Sequence, residues 1–412
     1  MIKWIETTLG DVCDIKHGYA FKGDFITSEK FKNILLTPGN FSIGGGFNSK
    51  KFKYYSSDDF PKSYILKEGD LLVSMTDLSK KADTLGYPLK VPNSNEFVYL
   101  HNQRLGLVEN LNCEKIDKEF LYWLMRTSFY QRYIANGATG STVKHTSPSR
   151  ILQFSTFIPE DVEIQREIAG VLSSLDDKIE LLQEQNKTLE ELAQTIFTET
   201  FITNPNSDWK EGVLDDVSDF KNGYPFSSKE LSKDKVGIPV LKMGNILKGG
   251  GLTLEKFVSY FAGDVSNKIS SNFAEKYDIL MCMTDMKSSM NLLGHTGIMF
   301  EDKKYLVNQR VGIIRPKNGY NYFLSILTNT SEFIENLRGR SNSGVQVNLS
   351  TFEIKNSKIL IPDEGSMKRF NEKVEPMFEK ISANIKQIAT LKETRDTLLP
   401  KLISGKVKLK GM

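Results

Sequence analysis

Between residues 164 and 201, apolar side chains recur at spacings of three and four: Ile168, Leu172, Leu175, Ile179, Leu182, Leu189, Ala193 and Ile196. Proline is absent from this stretch and Gly170 is its only glycine. Such spacing places the apolar residues on one face of a long helix, in the two rows of a heptad. One row runs through 172, 179, 186 and 193 and the other through 168, 175, 182, 189 and 196, with the polar Asn186 inside the seam. An asparagine at such a position fixes helix register at some cost in stability. The last part of the chain repeats the pattern at an offset of 202. There Phe370, Met377, Leu391 and Leu398 form one row, interrupted by Asn384. Val374, Ile381, Ile388 and Leu402 form the other, where Arg395 replaces an apolar residue. Pro376 lacks an amide hydrogen, so the regular helix is expected to start there or to kink there. Two helices with one apolar seam each can bury those seams against each other, and a helix of roughly 37 residues is about 55 Å long.

Elsewhere the apolar pattern is shorter. DLLVSM (70–75) and KILIPD (358–363) are bounded by Gly, Pro or Asp and read as strands, whereas EFLYWLMRTSFYQRYIA (119–135) has helical spacing. The segments ahead of the two long helices are copies of one another. WIETTLGDVCDIKHGYAF (4–21) aligns with WKEGVLDDVSDFKNGYPF (209–226) at an offset of 205, with 10 of 18 positions identical. Ordinary residue frequencies would give roughly one. The match continues through Gly39-Asn40 with Gly244-Asn245, Gly44-Gly45-Gly46 with Gly249-Gly250-Gly251, and Met75-Thr76-Asp77 with Met283-Thr284-Asp285. Leu85-Gly86 pairs with Leu293-Gly294, Asn102-Gln103-Arg104 with Asn308-Gln309-Arg310, and Ile158-Pro159 with Ile361-Pro362. A unit of this size exceeds the period of about 20–50 residues expected of a solenoid, so each copy is a module with its own interior.

The expected fold class is therefore α+β. Two duplicated mixed α/β modules, 1–158 and 205–361, are followed by long helical segments, 159–204 and 362–412, the second ending in a tail. If the helices pair antiparallel as a coiled-coil spacer, the modules lie at opposite ends of a rod about an approximate two-fold axis. Such an object holds two similar reading surfaces at a fixed separation, and DNA offers a matching target because major grooves recur on one face about every 34–36 Å.

Composition narrows the function. The 412 residues are 39% hydrophobic and 25% charged, as in a globular protein, and no run of eighteen apolar residues is present to span a membrane. The start, MIKWIETTLGD, has no apolar core behind a basic stretch, and Cys13, Cys113 and Cys282 form no metal or redox motif. A reducing, cytoplasmic location is expected. A net charge of +3 does not by itself argue for nucleic acid. The lysine runs at 50, 51 and 53, at 80 and 81, and at 401, 406, 408 and 410 fit a solvated surface as well as phosphate contacts. His17, His101, His145 and His295 show no metal-ligand spacing, and no Lys-Ser/Thr follows either glycine run as a phosphate loop needs. Asn204-Pro205-Asn206 lacks the aromatic of an amino-methyltransferase motif and reads as a linker turn. The Glu-x-Lys triplets at 301–303 and 353–355 lack the further placed carboxylates of a nuclease.

The ending RDTLLPKLISGKV (395–407) and the segment IPEDVEIQREIAGVLSSLDDKIELL (158–182) closely resemble the helical regions of type I restriction–modification specificity subunits. The pattern of Pro159, Gln165, Ile168, Leu172, Asp176 and Ile179 is similar to that family's first helix, and the NQR and LG pairs look like its module signatures. The second copy departs from it, with SMKRF (366–370) where the first has EIQRE. The resemblance implies two target-recognition domains, each binding one half of a split double-stranded DNA sequence, with the helical pair setting the spacer. It also implies docking of two methyltransferase subunits that use S-adenosylmethionine, and of restriction subunits that use ATP and magnesium. This chain itself would hold no cofactor and carry no catalysis. A stand-alone nuclease with recognition modules, and a coiled-coil adaptor that does not touch DNA, are the alternatives. The first predicts metal-dependent cleavage by the chain alone, the second an absence of salt-sensitive DNA binding.

Loops that combine basic, amide and small residues are the candidate reading heads. In the first module these are Asn48, Lys50, Lys51, Thr76, Ser79, Lys80, Lys81, Arg104, Ser141, Thr142, Lys144 and His145. In the second they are Lys248, Thr284, Lys287, Ser288, Arg310, Arg338, Arg340, Asn342 and Gln346. Arginine to guanine and Asn or Gln to adenine would be the informative pairings. Because Arg104 and Arg310 recur, a structural ion pair fits them equally; the glycine runs read as turns, and Tyr19 and Tyr224 as core. For helix pairing the candidates are Ile168, Leu172, Leu175, Ile179, Leu182, Asn186, Leu189 and Ile196 with Val374, Met377, Ile381, Asn384, Ile388, Leu391, Leu398 and Leu402.

Overall fold

The computed structural model describes residues 2–77, 79, 82–255, 257–286, 290–317, 319–341 and 346–407. It divides into two compact units, one formed by residues up to Leu181 together with those from Ile388 onward, the other by Leu182–Gln387.

In the first unit the opening strand Trp4–Thr8 pairs antiparallel with Ser155–Pro159, so the module closes its first strand on its last. Between them lie two four-stranded sheets. One has the order Asp14–His17, Leu105–Glu109, Leu71–Ser74, Pro88–Lys90, antiparallel throughout. The other has the order Ile26–Thr27, Lys53–Tyr55, Asn33–Leu36, Val98–His101, its last pair parallel. Leu71, Leu72 and Val73 are buried without alternation, as expected of a strand covered on both faces.

The second unit repeats this topology. Lys210–Val213 pairs with Lys358–Ile361. One sheet runs Ser218–Asn222, Val311–Pro316, Ile279–Cys282, Thr296–Ile298, and the other Leu231–Ser232, Tyr260–Phe261, Ile238–Leu241, Leu306–Val307, again with a parallel last pair.

Glycines that recur between the copies mark close backbone approaches. Tyr19 bridges to Asn102 and Tyr224 to Asn308. A Cβ on Gly18 would stand 2.0 Å from the Asn102 carbonyl oxygen, and one on Gly223 2.4 Å from that of Asn308. Gly18→Ala is therefore expected to destabilise the chain by roughly 1–3 kcal/mol, the cost of forcing packed backbone apart. Its unfolding midpoint should fall; an unchanged midpoint would show that the turn can yield. Tyr19 and Tyr224 are half-buried beside Phe21 and Phe226.

The apolar stretch 119–135 is two helices rather than the single one its spacing suggests: Lys118–Met125 and Ser128–Asn136. The break comes at Thr127, whose hydroxyl donates to the Leu124 carbonyl and accepts from the Tyr130 amide, ending one helix and capping the next. In the second unit Asn321–Leu327 and Ser331–Gly339 are divided in the same way, with Thr330 as the cap.

The long helices are Val162–Phe197, continued by a wider π turn over Thr198–Thr203, and Glu364–Ile403. The second begins before Pro376, which lies inside it. Asp363 starts it by accepting the Ser366 amide and hydroxyl and the Trp209 indole N–H. Within the first unit, Ile168 and Leu172 from the early part of one helix share a core with Leu399, Leu402 and Ile403 from the late part of the other. Within the second unit the roles exchange, and Ala193 and Phe197 pack with Phe370, Val374 and Phe378. Within the first unit the helix segments run antiparallel, Ile168 and Leu172 packing with the late Leu402 and Ile403 while Asp176 meets the earlier Arg395.

Of the seam residues, Ile168, Leu172, Ile179, Leu182, Val374, Ile381, Asn384, Ile388 and Leu402 are buried. Leu175, Asn186, Leu189, Ile196, Met377, Leu391 and Leu398 are half-buried. The three polar interruptions, Asn186, Asn384 and Arg395, have partners. The Asn384 amide donates to Asn186 Oδ1 and Gln185 Oε1, both at 2.8 Å. Arg395 donates to Asp176 Oδ1 at 2.5 Å, and the other carboxylate oxygen of Asp176 accepts from Arg126. Arg126 in turn donates to the Gly44 carbonyl and the Tyr122 hydroxyl and lies over the Trp123 ring. This triad joins both helices of the first unit to its glycine loop.

Candidate nucleic-acid interface

Two segments that are far apart in sequence form one ribbon in each unit. Thr76–Asp77 pairs antiparallel with Lys144–His145. Thr139 and His145 exchange backbone hydrogen bonds, which closes 139–145 into a hairpin whose tip exposes Ser141 and Thr142. Gly140 makes the turn at φ +92°, where a Cβ would stand 2.0 Å from the Val143 carbonyl oxygen. The Thr76 hydroxyl lies 3.2 Å from His145 Nδ1. Ser79 lies two residues after Asp77, which accepts its amide. The structure thus brings together Thr76, Ser79, Ser141, Thr142, Lys144 and His145. In the second unit Thr284–Met286 pairs with Gln346–Asn348, and the Thr284 hydroxyl donates to Asn348 Oδ1 at 2.8 Å.

Each ribbon has an arginine beside its root. The Met75 amide donates to the Arg104 carbonyl and the Met283 amide to that of Arg310. In both copies the preceding asparagine, Asn102 or Asn308, turns its side-chain oxygen back onto the arginine's amide. The side chains of Arg104 and Arg310 are exposed. Among the described residues neither forms an ion pair, so the alternative of a structural pair finds no partner for either.

Asn48, Lys50 and Lys51 occupy a different loop, attached to the other sheet. Buried Asn40 holds it, donating its amide to the carbonyls of Asn48 and Lys51. Asn245 does the same for Thr253 in the second unit. The glycine runs are tight turns, with positive φ at all three glycines of each. Gly45 presses on the Arg126 side chain and Gly250 on Asn329, which occupies the matching place. Lys248 is exposed on the second of these turns. Burial, and then the charges of Arg338 and Lys248, push His295 below its ordinary pKa, so it is neutral at neutral pH.

The remaining arginines are engaged with the protein. Arg338 Nε donates to the Leu293 carbonyl. Arg340 donates to the Asn336 and Asn356 carbonyls and lies 3.7 Å from Glu353. Lys80, Lys81, Lys287, Ser288 and Asn342 lie outside the described residues, and Gln346 is described by its backbone alone. Burial raises the thiols of Cys13 and Cys282 to about 12 and about 11, which leaves both protonated and unreactive at neutral pH.

Sequence reasoning passed over the residues that build these loops: Asp77, Asp285, Asn102, Asn308, Asn40 and Asn245. All six stand inside motifs that recur between the copies, and that recurrence is the signal that could have found them.

A family model described as the type I restriction modification DNA specificity domain matches residues 1–191 and again 206–393. The type I restriction enzyme MjaIX specificity subunit of Methanocaldococcus jannaschii is 27% identical over 316 residues, covering 71% of this chain and 70% of its own. The HindI specificity subunit of Haemophilus influenzae is 22% identical over 480 aligned residues, covering 99% of this chain and all of its own (100%). A solved S subunit of the type I system of M. genitalium superimposes with a TM-score of 0.58 over 98% of this chain and 96% of its own, at 18% identity, a likeness of fold. With one domain match on each copy of the duplicated module, this chain belongs to the type I restriction–modification DNA specificity family.

Proposed function

We propose that the chain is the DNA sequence-recognition subunit of a type I restriction–modification complex and reads a bipartite target, one half-site per module. The observation that supports this most directly is the paired construction of the two ribbons. Each module carries the same antiparallel ribbon and the same exposed arginine at its root, while the loop side chains around them differ. Two surfaces of one build and different chemistry suit two half-sites of different sequence. The paired helices set the unread spacer. Methyltransferase and restriction subunits dock on the chain and supply the chemistry, using S-adenosylmethionine, ATP and magnesium.

Genome-wide adenine methylation in the source organism, with and without this gene, tests the reading. Deletion is expected to abolish methylation at one bipartite motif. Should no motif change, DNA binding by the chain with its candidate methyltransferase decides: affinity that does not fall with rising salt rules the reading out.

A further inference from the structure

We propose that His145 and Asn348 determine specificity, one in each half-site, by offering an N–H donor to a base edge. Thr76 and Thr284 are the positioning residues: each buried hydroxyl occupies its partner's acceptor and leaves the donor free. This rests on the assignment of the two modules as DNA readers.

His145 and Thr76 are register partners in the first ribbon, as Asn348 and Thr284 are in the second. Such partners stand opposite one another with their side chains on one face. One residue on, the match continues: the Thr146 amide donates to the Met75 carbonyl and the Leu349 amide to that of Met283. Ser147 and Ser350 then cap the helices that follow, accepting from the amides of Arg150 and Glu353. His145 and Asn348 therefore hold the same place in the two copies. The threonine opposite is constant, within Met-Thr-Asp in both, and the residue it meets is not. Thr76 is 4% exposed and Thr284 5%, whereas His145 and Asn348 are exposed.

A hydroxyl so buried needs an acceptor for its hydrogen. Among the described residues the Thr76 hydroxyl has one partner, His145 Nδ1 at 3.2 Å. The hydroxyl therefore donates and Nδ1 accepts. The ring proton then sits on Nε2, because the bond at one ring nitrogen sets the state of the other. The Thr284 hydroxyl donates likewise to Asn348 Oδ1 at 2.8 Å, which leaves the Asn348 amide hydrogens as the free group. The two side chains differ in what they can read. His145 offers a single donor and suits a base-edge acceptor, guanine O6 or a purine N7. Asn348 keeps one lone pair on Oδ1 beside its donors, the pattern that pairs with adenine N6 and N7. One threonine frame thus presents two different hydrogen-bonding faces.

The test maps methylated adenines in cells that express the full chain with its methyltransferase, and scores sites that depart from the motif at one base. Thermal melts of the purified full-length variants run alongside. His145→Ala is expected to relax discrimination at one position of one half by roughly tenfold, and Asn348→Ala at one position of the other half. Both side chains are exposed, so both variants should melt with the wild type. Thr76→Val keeps the shape and removes the hydroxyl, and should relax the same position as His145→Ala. Thr76→Ser retains the hydroxyl and should keep the wild-type motif. Thr284→Val should relax the position that Asn348→Ala does. An unchanged motif in either alanine variant overturns the role of that residue. A wild-type motif in Thr76→Val, or an equal loss in Thr76→Val and Thr76→Ser, overturns the positioning role of the hydroxyl. A uniform loss at every sequence in His145→Ala makes that residue a phosphate contact and overturns its reading role. If the wild type yields no bipartite motif, the DNA-reading assignment itself has failed and this inference falls with it.

Discussion

Asp176→Ala is expected to lower the stability of the chain by about 3 kcal/mol, the lower end of the cost of breaking a buried ion pair. Three groups set that figure. Arg126 has a side chain only 5% exposed and Arg395 one 16% exposed, and both direct a guanidinium at the Asp176 carboxylate, itself 29% exposed. Removing the carboxylate strands Arg126 without a counter-charge, whereas Arg395 keeps Asp396. The partial exposure of Asp176 places the expectation at the low end. Burial pushes Asp176 up, but the charges and hydrogen bonds of Arg126 and Arg395 outweigh it, so its folded pKa lies below the ordinary value. Its stabilisation is therefore present above the unfolded carboxylate range and is lost as pH falls through the depressed folded value. Wild type and variant should accordingly converge in stability in strong acid, followed by calorimetry across pH. The triple replacement Arg126→Met, Asp176→Leu, Arg395→Leu should recover most of the loss, because removing all the charges removes the stranded one. A single variant as stable as wild type at pH 7 would mean that the triad contributes nothing.

Arg310→Ala is expected to reduce discrimination at one position of one half-site by roughly 10–100-fold, the value of a good bidentate contact to a base. Arg104→Ala should do the same in the other half. Each arginine is presented by an asparagine turn and by the backbone of the strand beside it, and is free of ion pairs among the described residues. Among the described residues neither side chain holds anything else in place, so the melting point should not move. Competition binding of the assembled complex against DNA altered in one half-site at a time gives the readout. A uniform loss across all sequences, with a salt slope reduced by about one, would instead make the arginine a phosphate contact.

Much of the architecture was legible in the amino-acid order, because it rests on local signals. The helical seams show as spacing, and the duplication shows as identity at motifs such as MTD and NQR. What escaped were pairings that distance in sequence conceals. Arg395 looks like an imperfection in a row of apolar residues until Asp176 is placed opposite it. Ribbon strand 76–77 finds its partner some seventy residues on, among loop residues with no strand pattern. Arg340 looked as free as Arg310, and only folding ties it to Glu353. The break at Thr127 was closer to readable, since a threonine ahead of an apolar turn is a common helix start. The run of apolar residues on both sides hid it.

The carboxylates of Asp77 and Asp285 grip main-chain amides seven residues away, and an amide is present whatever side chain it carries, proline excepted. The contact thus does not depend on which side chain stands at the gripped position. Thr84 in one copy and Leu292 in the other have unlike side chains, and both close the same contact.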